Sequence, residues 1–184
     1  PLDQAMQLAQ DSFATDILSS FKVIHLDPEK AIDRNAPEAK QQLAEMSLQM
    51  LIGADRFAKS QGITDVVFEA GTDETVGEDL TPQQWDEFLD RVMNGAAAAK
   101  ANLPISFAVP MGTKVKETRN VGDIAQGARS VQLWEDRIVQ LHDIAARYGV
   151  ILKLHNSDYI SREVIDHYLR LGVRCMIVAP EFGV

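Results

Sequence analysis

The stretch at residues 151–161, ILKLHNSDYIS, shows how this chain is organised. Its first four residues form an apolar run typical of a buried β-strand, interrupted only by Lys153, and the run leads directly into polar residues at 155–158. A helical pattern follows at 162–171 and stops at Gly172, the kind of residue that commonly ends a helix. The stretch therefore predicts a strand, a polar strand end and a helix.

The same unit recurs, because apolar runs alternate with helical patterns along the chain. Strands are predicted at residues 21–27, 64–70, 104–110, 150–155 and 173–179. Helices are predicted at about residues 2–19, 37–60, 82–101, 130–148 and 162–171. Strands that are apolar on both faces and separated by helices indicate parallel β/α units. The prediction is one α/β domain over residues 1–184, built as a doubly wound sheet or as a (β/α)8 barrel.

The composition suits a globular domain in a reducing compartment. Of 184 residues, 46% are hydrophobic and 24% are charged. A net charge of −9 argues against nucleic acid as a partner, because phosphate neutralisation requires clustered Lys and Arg. The single cysteine, Cys175, forms no disulfide framework and lies in an apolar run, where burial is expected. No signal peptide or membrane-spanning run is visible, so a cytoplasmic protein without membrane partners is expected.

Polar side chains gather where the predicted strands end. In parallel α/β folds the carboxyl ends of the strands form the ligand face. Side chains alternate along a strand, so His25 shares a face with Asp27, and Lys153 shares one with His155. If those faces point inward, five side chains converge on one interior, namely His25, Asp27, Glu69, Lys153 and His155.

Simpler interpretations stand beside this one. A histidine at a strand end also serves as a polar cap, and Glu69 alternatively forms a structural ion pair with Lys153. The acidic segment GTDETVGED at residues 71–79 is either a solvated loop or a loop that folds over the site. His142 and His167 lie in helical patterns and are taken as surface or packing residues.

Five segments together resemble the tagatose-bisphosphate aldolase Z-type subunit family. They are FKVIHLDPE, FEAGTDETVGED, AVPMGTKVKETRN, KLHNSDYIS and IVAPEFGV, and the most specific motifs are IHLD at 24–27 and HNSDY at 155–159. The resemblance covers nearly the whole chain and implies a TIM (β/α)8-type barrel related to class II ketose-bisphosphate aldolases. By that comparison the chain is incomplete and supplies about five C-terminal β/α units.

The resemblance also implies a metal site and a chemistry. His25, Glu69 and His155 would bind a divalent metal, with zinc preferred, and the metal would polarise a sugar carbonyl. Asp27, Glu69 or Asp158 would then move a proton, in an epimerisation or in a retro-aldol step. Lys153 offers a competing Schiff-base route. The loop MGTKVKETRN lacks the metal-binding histidine that class II aldolases have after the corresponding strand.

Further residues are candidates for binding the substrate. Asp73, Lys114, Asn156 and Glu181 are predicted to bind substrate, and Lys114, Lys116 and Arg119 are the phosphate candidates unless they form only a solvated basic loop. The expected ligand is a sugar or sugar phosphate, with no nucleotide cofactor. The predicted function is a metal-assisted tagatose-bisphosphate aldolase component or a sugar epimerase. The alternative is a non-catalytic subunit that stabilises a partner class II aldolase, and in either case an oligomer is expected.

Overall fold

A computed structural model describes residues 2–28, 32, 39–72, 80–126 and 128–178. The strands are β1 (Val23–Leu26), β2 (Val67–Gly71), β3 (Ser106–Val109), β4 (Val115–Lys116), β5 (Arg119–Asn120), β6 (Ile151–Leu154) and β7 (Cys175–Met176). The helices are α1 (Leu2–Leu18), α2 (Ala39–Ser60), α3 (Pro82–Ala98), α4 (Ala128–Val131), α5 (Glu135–Tyr148) and α6 (Arg162–Arg170), with 3₁₀ turns at Asp123–Gln126 and Gln132–Trp134.

Five strands form one sheet in the order β1-β2-β3-β6-β7, and β4 and β5 form a separate antiparallel hairpin. The pairing is parallel between β1 and β2, between β3 and β6, and between β6 and β7. The chain divides into two compact units, the first comprising Pro1–Gly71 with Gln83–Ile105 and the second Thr72–Pro82 with Ser106–Val184.

The first unit contains a core between its strands and helices. One face of β1 is fully buried at Ile24 and Leu26, whereas Val23 on the other face is 51% exposed. Phe68 of β2 and Leu51 of α2 are also buried. This one-sided burial follows the period-2 alternation of a strand, and it leaves His25 on the more accessible face of β1.

A buried carboxylate ties α2 to the segment that follows α3. Asp55 accepts hydrogen bonds from the Asn102 backbone N–H at 3.2 Å and from Lys59 Nζ at 2.6 Å. Lys59 Nζ also donates to the Lys100 carbonyl at 3.0 Å. Because an unpaired buried charge is costly, this arrangement gives Asp55 a structural function.

The second unit is built around β3, whose four residues are all buried, and β6, whose burial alternates. Gly149 ends α5 in the left-handed conformation, with φ 70°, and its N–H bonds to the carbonyls of the last turn. Tyr168 of α6 reaches into the core, where its hydroxyl donates to the buried Met111 carbonyl at 2.5 Å.

Replacing Tyr168 with Phe should lower the free energy of unfolding by about 1–3 kcal/mol, because the buried Met111 carbonyl loses its donor. Burial, together with the negative charge of Asp123, raises the pKa of Tyr168. The unfolded phenol ionises at about pH 10 while the folded one stays protonated, so wild-type stability falls as the pH rises above that value. Chemical denaturation should show the free energies of unfolding of wild type and Tyr168→Phe converging above about pH 10. A gap that stays constant to about pH 11 would contradict this account.

The alternation of strands and helices predicted from the sequence is confirmed. The last strand is shorter than the predicted 173–179, and the helix predicted at 130–148 is divided by the 3₁₀ turn Gln132–Trp134. Closure into a (β/α)8 barrel and a single domain over residues 1–184 stay predictions. Within the described ranges, no helix is long and apolar enough to cross a membrane.

Two local features differ from the sequence analysis. Cys175 is exposed, so the prediction of burial is wrong; β7 is short and its buried neighbour is Val173, two positions away. The polar loop after β3 contains the β4–β5 hairpin, which has a non-glycine residue in the left-handed region at Glu117. Its four strand residues are too few to give a periodic signal.

Candidate functional site

A histidine and a glutamate meet on adjacent parallel strands of the first unit. His25 and Glu69 are register partners on β1 and β2, and His25 Nδ1 lies 2.9 Å from Glu69 Oε1. The Glu69 side chain is 3% exposed, whereas that of His25 is 29% exposed. The pair therefore combines a buried carboxylate with a partly exposed imidazole whose Nε2 is itself buried.

The geometry fixes how the two side chains share a proton. An ionised Glu69 can only accept, so the shared hydrogen belongs to His25 Nδ1. In the neutral imidazole the lone pair is then on Nε2, the atom suited to take a proton or bind a cation. The buried carboxylate orients the ring and stabilises its positive charge when Nε2 is protonated. Asp27, predicted as a proton carrier, follows β1 and is half-buried on the His25 face.

In the second unit, the turn after β6 is fixed on both sides by backbone hydrogen bonds. The His155 N–H donates to Val109 of β3 at 3.3 Å, and the Ser157 N–H donates to Ile177 at 2.8 Å. The Thr113 hydroxyl donates to the His155 carbonyl. The turn that carries the predicted metal ligand His155 is thus held in one conformation.

Asn120, which the sequence analysis did not single out, makes four hydrogen bonds beside this turn. Its Oδ1 accepts from the N–H groups of Lys114 at 3.1 Å and Gly122 at 3.2 Å. Its Nδ2 donates to the carbonyls of Asn156 and Asp158, each at 3.0 Å. The amide thereby joins the β4–β5 hairpin to the turn after β6. In the sequence, the only sign of these hydrogen bonds is an amide side chain in a polar loop.

The same turn contains unusual backbone conformations. Asn156, predicted to bind substrate, has φ 52°, and Tyr159 has φ 57°. Asn tolerates this left-handed region, but for tyrosine it costs about 1–2 kcal/mol. Asp158, predicted as a proton carrier, is almost fully buried, and Lys153 of β6 is half-buried. Backbone strain of this kind clusters at functional sites.

The predicted site residues are distributed over both units. His25, Asp27 and Glu69 belong to the first unit, and Lys153, His155, Asn156 and Asp158 to the second, as does the exposed Lys114. Their convergence on one ligand stays a prediction. Asp73 and Glu181 lie outside the described residues, as does most of the acidic segment 71–79.

The described residues fit a metal site only in part. Within the described ranges, no group of three or more His, Cys, Asp or Glu side chains is placed to hold a metal ion. The His25–Glu69 contact nevertheless has the arrangement in which a carboxylate orients a metal-binding histidine through its other ring nitrogen. That geometry favours Glu69 as the partner that orients His25. The zinc site of His25, Glu69 and His155 stays a prediction.

Comparison with solved structures finds a related fold in a sugar epimerase. The glycerol-complexed fructuronate-tagaturonate epimerase UxaE from Cohnella laeviribosi matches with a TM-score of 0.51 and 15% sequence identity, over 91% of this chain and 41% of that chain. Its native structure matches with a TM-score of 0.49, at the same identity and coverage. This chain thus spans about two fifths of the epimerase's length.

At 15% identity, the match establishes a shared fold. No protein-family model matches the sequence, and no curated protein matches it. The resemblance to the tagatose-bisphosphate aldolase Z-type family stays an interpretation of sequence motifs.

Proposed function

We propose that this chain is part of an enzyme that epimerises a ketose or an acidic ketose derivative. The observation that carries the proposal is the contact between His25 Nδ1 and the buried Glu69 carboxylate, on adjacent parallel strands whose carboxyl ends commonly form ligand faces. The fold shared with part of a fructuronate-tagaturonate epimerase supports a sugar as the substrate class.

In both routes His25 accepts a proton from the substrate. In one route, which inverts the carbon beside the ketose carbonyl, Nε2 removes the proton from that carbon, leaving an enediolate, and a second group delivers a proton to the opposite face. In the other route, which inverts the next carbon, where fructo and tagato sugars differ, the hydroxyl on that carbon loses its proton to Nε2, the adjacent C–C bond breaks with its electron pair moving to the enediolate fragment, and the bond re-forms after the aldehyde turns. Glu69 stabilises the imidazolium in both routes. Asp27 or Asp158 is proposed as the second proton carrier.

In an alternative use of the same ring, His25 Nε2 would hold a divalent metal, with zinc as first candidate and Glu69 orienting the imidazole, and Asp27 or Asp158 would then carry the proton. Such a metal would polarise the sugar carbonyl and lower the cost of the developing negative charge. Release of the fragments without recombination would make the same site an aldolase, as the resemblance to tagatose-bisphosphate aldolases implies.

The proposal is tested by incubating the purified protein with fructuronate, tagaturonate, and fructose and tagatose phosphates. Metal-stripped protein is compared with protein given zinc, manganese or magnesium, and products are read by proton NMR in D2O. Epimer formation supports the proposal. Deuterium bound to carbon indicates the first route, and its absence indicates the second.

Two outcomes would overturn it. Three-carbon fragments as sole products would indicate an aldolase. No product with any metal, combined with increased stability or activity of a class II aldolase on mixing, would indicate the non-catalytic subunit.

A further inference from the structure

A cleft in the second unit combines one cation with an apolar wall. Its volume is about 220 Å³. The lining residues are Arg119, Asn120, Ile124, Tyr159, Ile160, Ser161 and Val164. We propose that this cleft binds the terminal oxyanion of the substrate, a phosphate or a carboxylate, with Arg119 as its cationic ligand. That the oxyanion belongs to a ketose rests on the proposed function, whereas anion binding itself does not.

The charge of the cleft favours an anion. Among the described residues that line the cleft, Arg119 is the one cation and none is a carboxylate. In the described part of the chain Arg119 has no ion pair, although the protein carries a net charge of −9. A guanidinium presents paired N–H donors that match carboxylate and phosphate oxygens. Tyr159 and Ser161 are two further polar residues of the same lining.

The walls of the cleft are preorganised. Asn120 uses both ends of its amide to join the hairpin to the turn after β6, as its four hydrogen bonds show. Ile124 and Val164 are buried in the adjacent wall. Such an apolar wall lowers the local dielectric and strengthens a charge-assisted hydrogen bond. The first turn of α6 contributes little to anion binding, because the Ser161 side chain already accepts a hydrogen bond from the Val164 N–H.

Tyr159 gives an independent indication of function. Its φ of 57° is unfavourable for a side chain without a local hydrogen-bonding group, yet it lines the cleft. Strain retained at a non-glycine residue commonly marks a binding site. The volume agrees with a limited role, since sites for whole drug-sized ligands measure about 300–1,000 Å³. The cleft therefore suits one end of a ketose.

The test compares Arg119→Gln with Arg162→Gln. Arg162 directly follows the lining residue Ser161, its side chain is 91% exposed and it does not line the cleft, so its variant makes the same substitution beside the site. Calorimetric titration of the purified protein with inorganic phosphate and, separately, with glycerate reads binding without any turnover. We expect wild type and Arg162→Gln to bind at least one probe equally, and Arg119→Gln to bind it at least about tenfold more weakly.

The two probes distinguish the sources of the oxyanion. Tighter binding of phosphate supports a sugar phosphate, and tighter binding of glycerate supports a ketose acid. Equal weakening in both variants would indicate only a diffuse basic surface, and unchanged binding in Arg119→Gln, or no binding to wild type, would overturn the proposal. If the protein also epimerises a ketose, Arg119→Gln should raise KM for the acidic substrate about tenfold while kcat changes little. Probe binding without turnover would contradict the proposed function and leave the anion site supported.

Discussion

Replacing Glu69 with Gln should lower epimerase turnover by about 10²–10⁴-fold while the protein stays folded. Gln has nearly the size of Glu, and its side-chain oxygen can still accept a hydrogen bond from His25 Nδ1. The substitution therefore keeps the buried 2.9 Å contact but removes its negative charge. It cannot stabilise an imidazolium, and its amide can turn to present a donor to the ring. His25→Gln should cause a loss of similar size, because both changes disable the same proton carrier. The measurement is kcat for the active ketose, with thermal unfolding as a check on folding.

The protein contains a matched control for this experiment. His167 Nε2 lies 2.6 Å from Glu135 Oε1, a second histidine–glutamate contact that joins α6 to α5 and involves no strand. Glu135→Gln should leave kcat within about twofold of wild type, because a helix-to-helix pair of this kind has only a modest effect on stability. Equal losses in Glu69→Gln and Glu135→Gln would show that the His25–Glu69 pair is structural.

Replacing Asn120 with Asp should lower the free energy of unfolding by about 2–4 kcal/mol, although the substitution only exchanges the side-chain NH2 group for an oxygen. The amide donates to two carbonyls, those of Asn156 and Asp158, and a carboxylate would place negative charge against both. Asn120 is only 8% exposed, so water cannot replace the lost donors. Because the affected turn also carries His155, turnover should fall in the folded fraction as well.

Urea unfolding measures the Asn120 effect, and Asn102→Asp provides the control. Asn102 is exposed and only its backbone N–H is used in a described hydrogen bond, so the same substitution there should change stability by no more than about 0.5 kcal/mol. A value for Asn120→Asp within that range would show that the amide does not hold the hairpin against the turn.

Much of the fold could be read from the sequence, because its signals are local. Period-2 apolar runs specify strands such as Val23–Leu26 and Ile151–Leu154, and helical periodicity specifies the segments between them. Gly149 ends α5 as expected, since glycine readily adopts the left-handed conformation that a helix end requires. The polar residues at the strand ends were also visible, because each directly follows its own apolar run.

Only the tertiary structure decided which of these polar residues touch. His25 and Glu69 are 44 residues apart, and their contact depends on the register between β1 and β2, which neither strand encodes alone. The sequence suggested Lys153 as one possible partner of Glu69, and the register of the packed strands places His25 against its carboxylate. The hydrogen bonds of Asn120 likewise depend on tertiary structure, because two of its four partners flank the hairpin and two lie in a turn some 36 residues away. A side chain's local pattern determines its element and face, whereas its hydrogen-bond partners depend on which distant backbone groups the packed strands and turns bring to it.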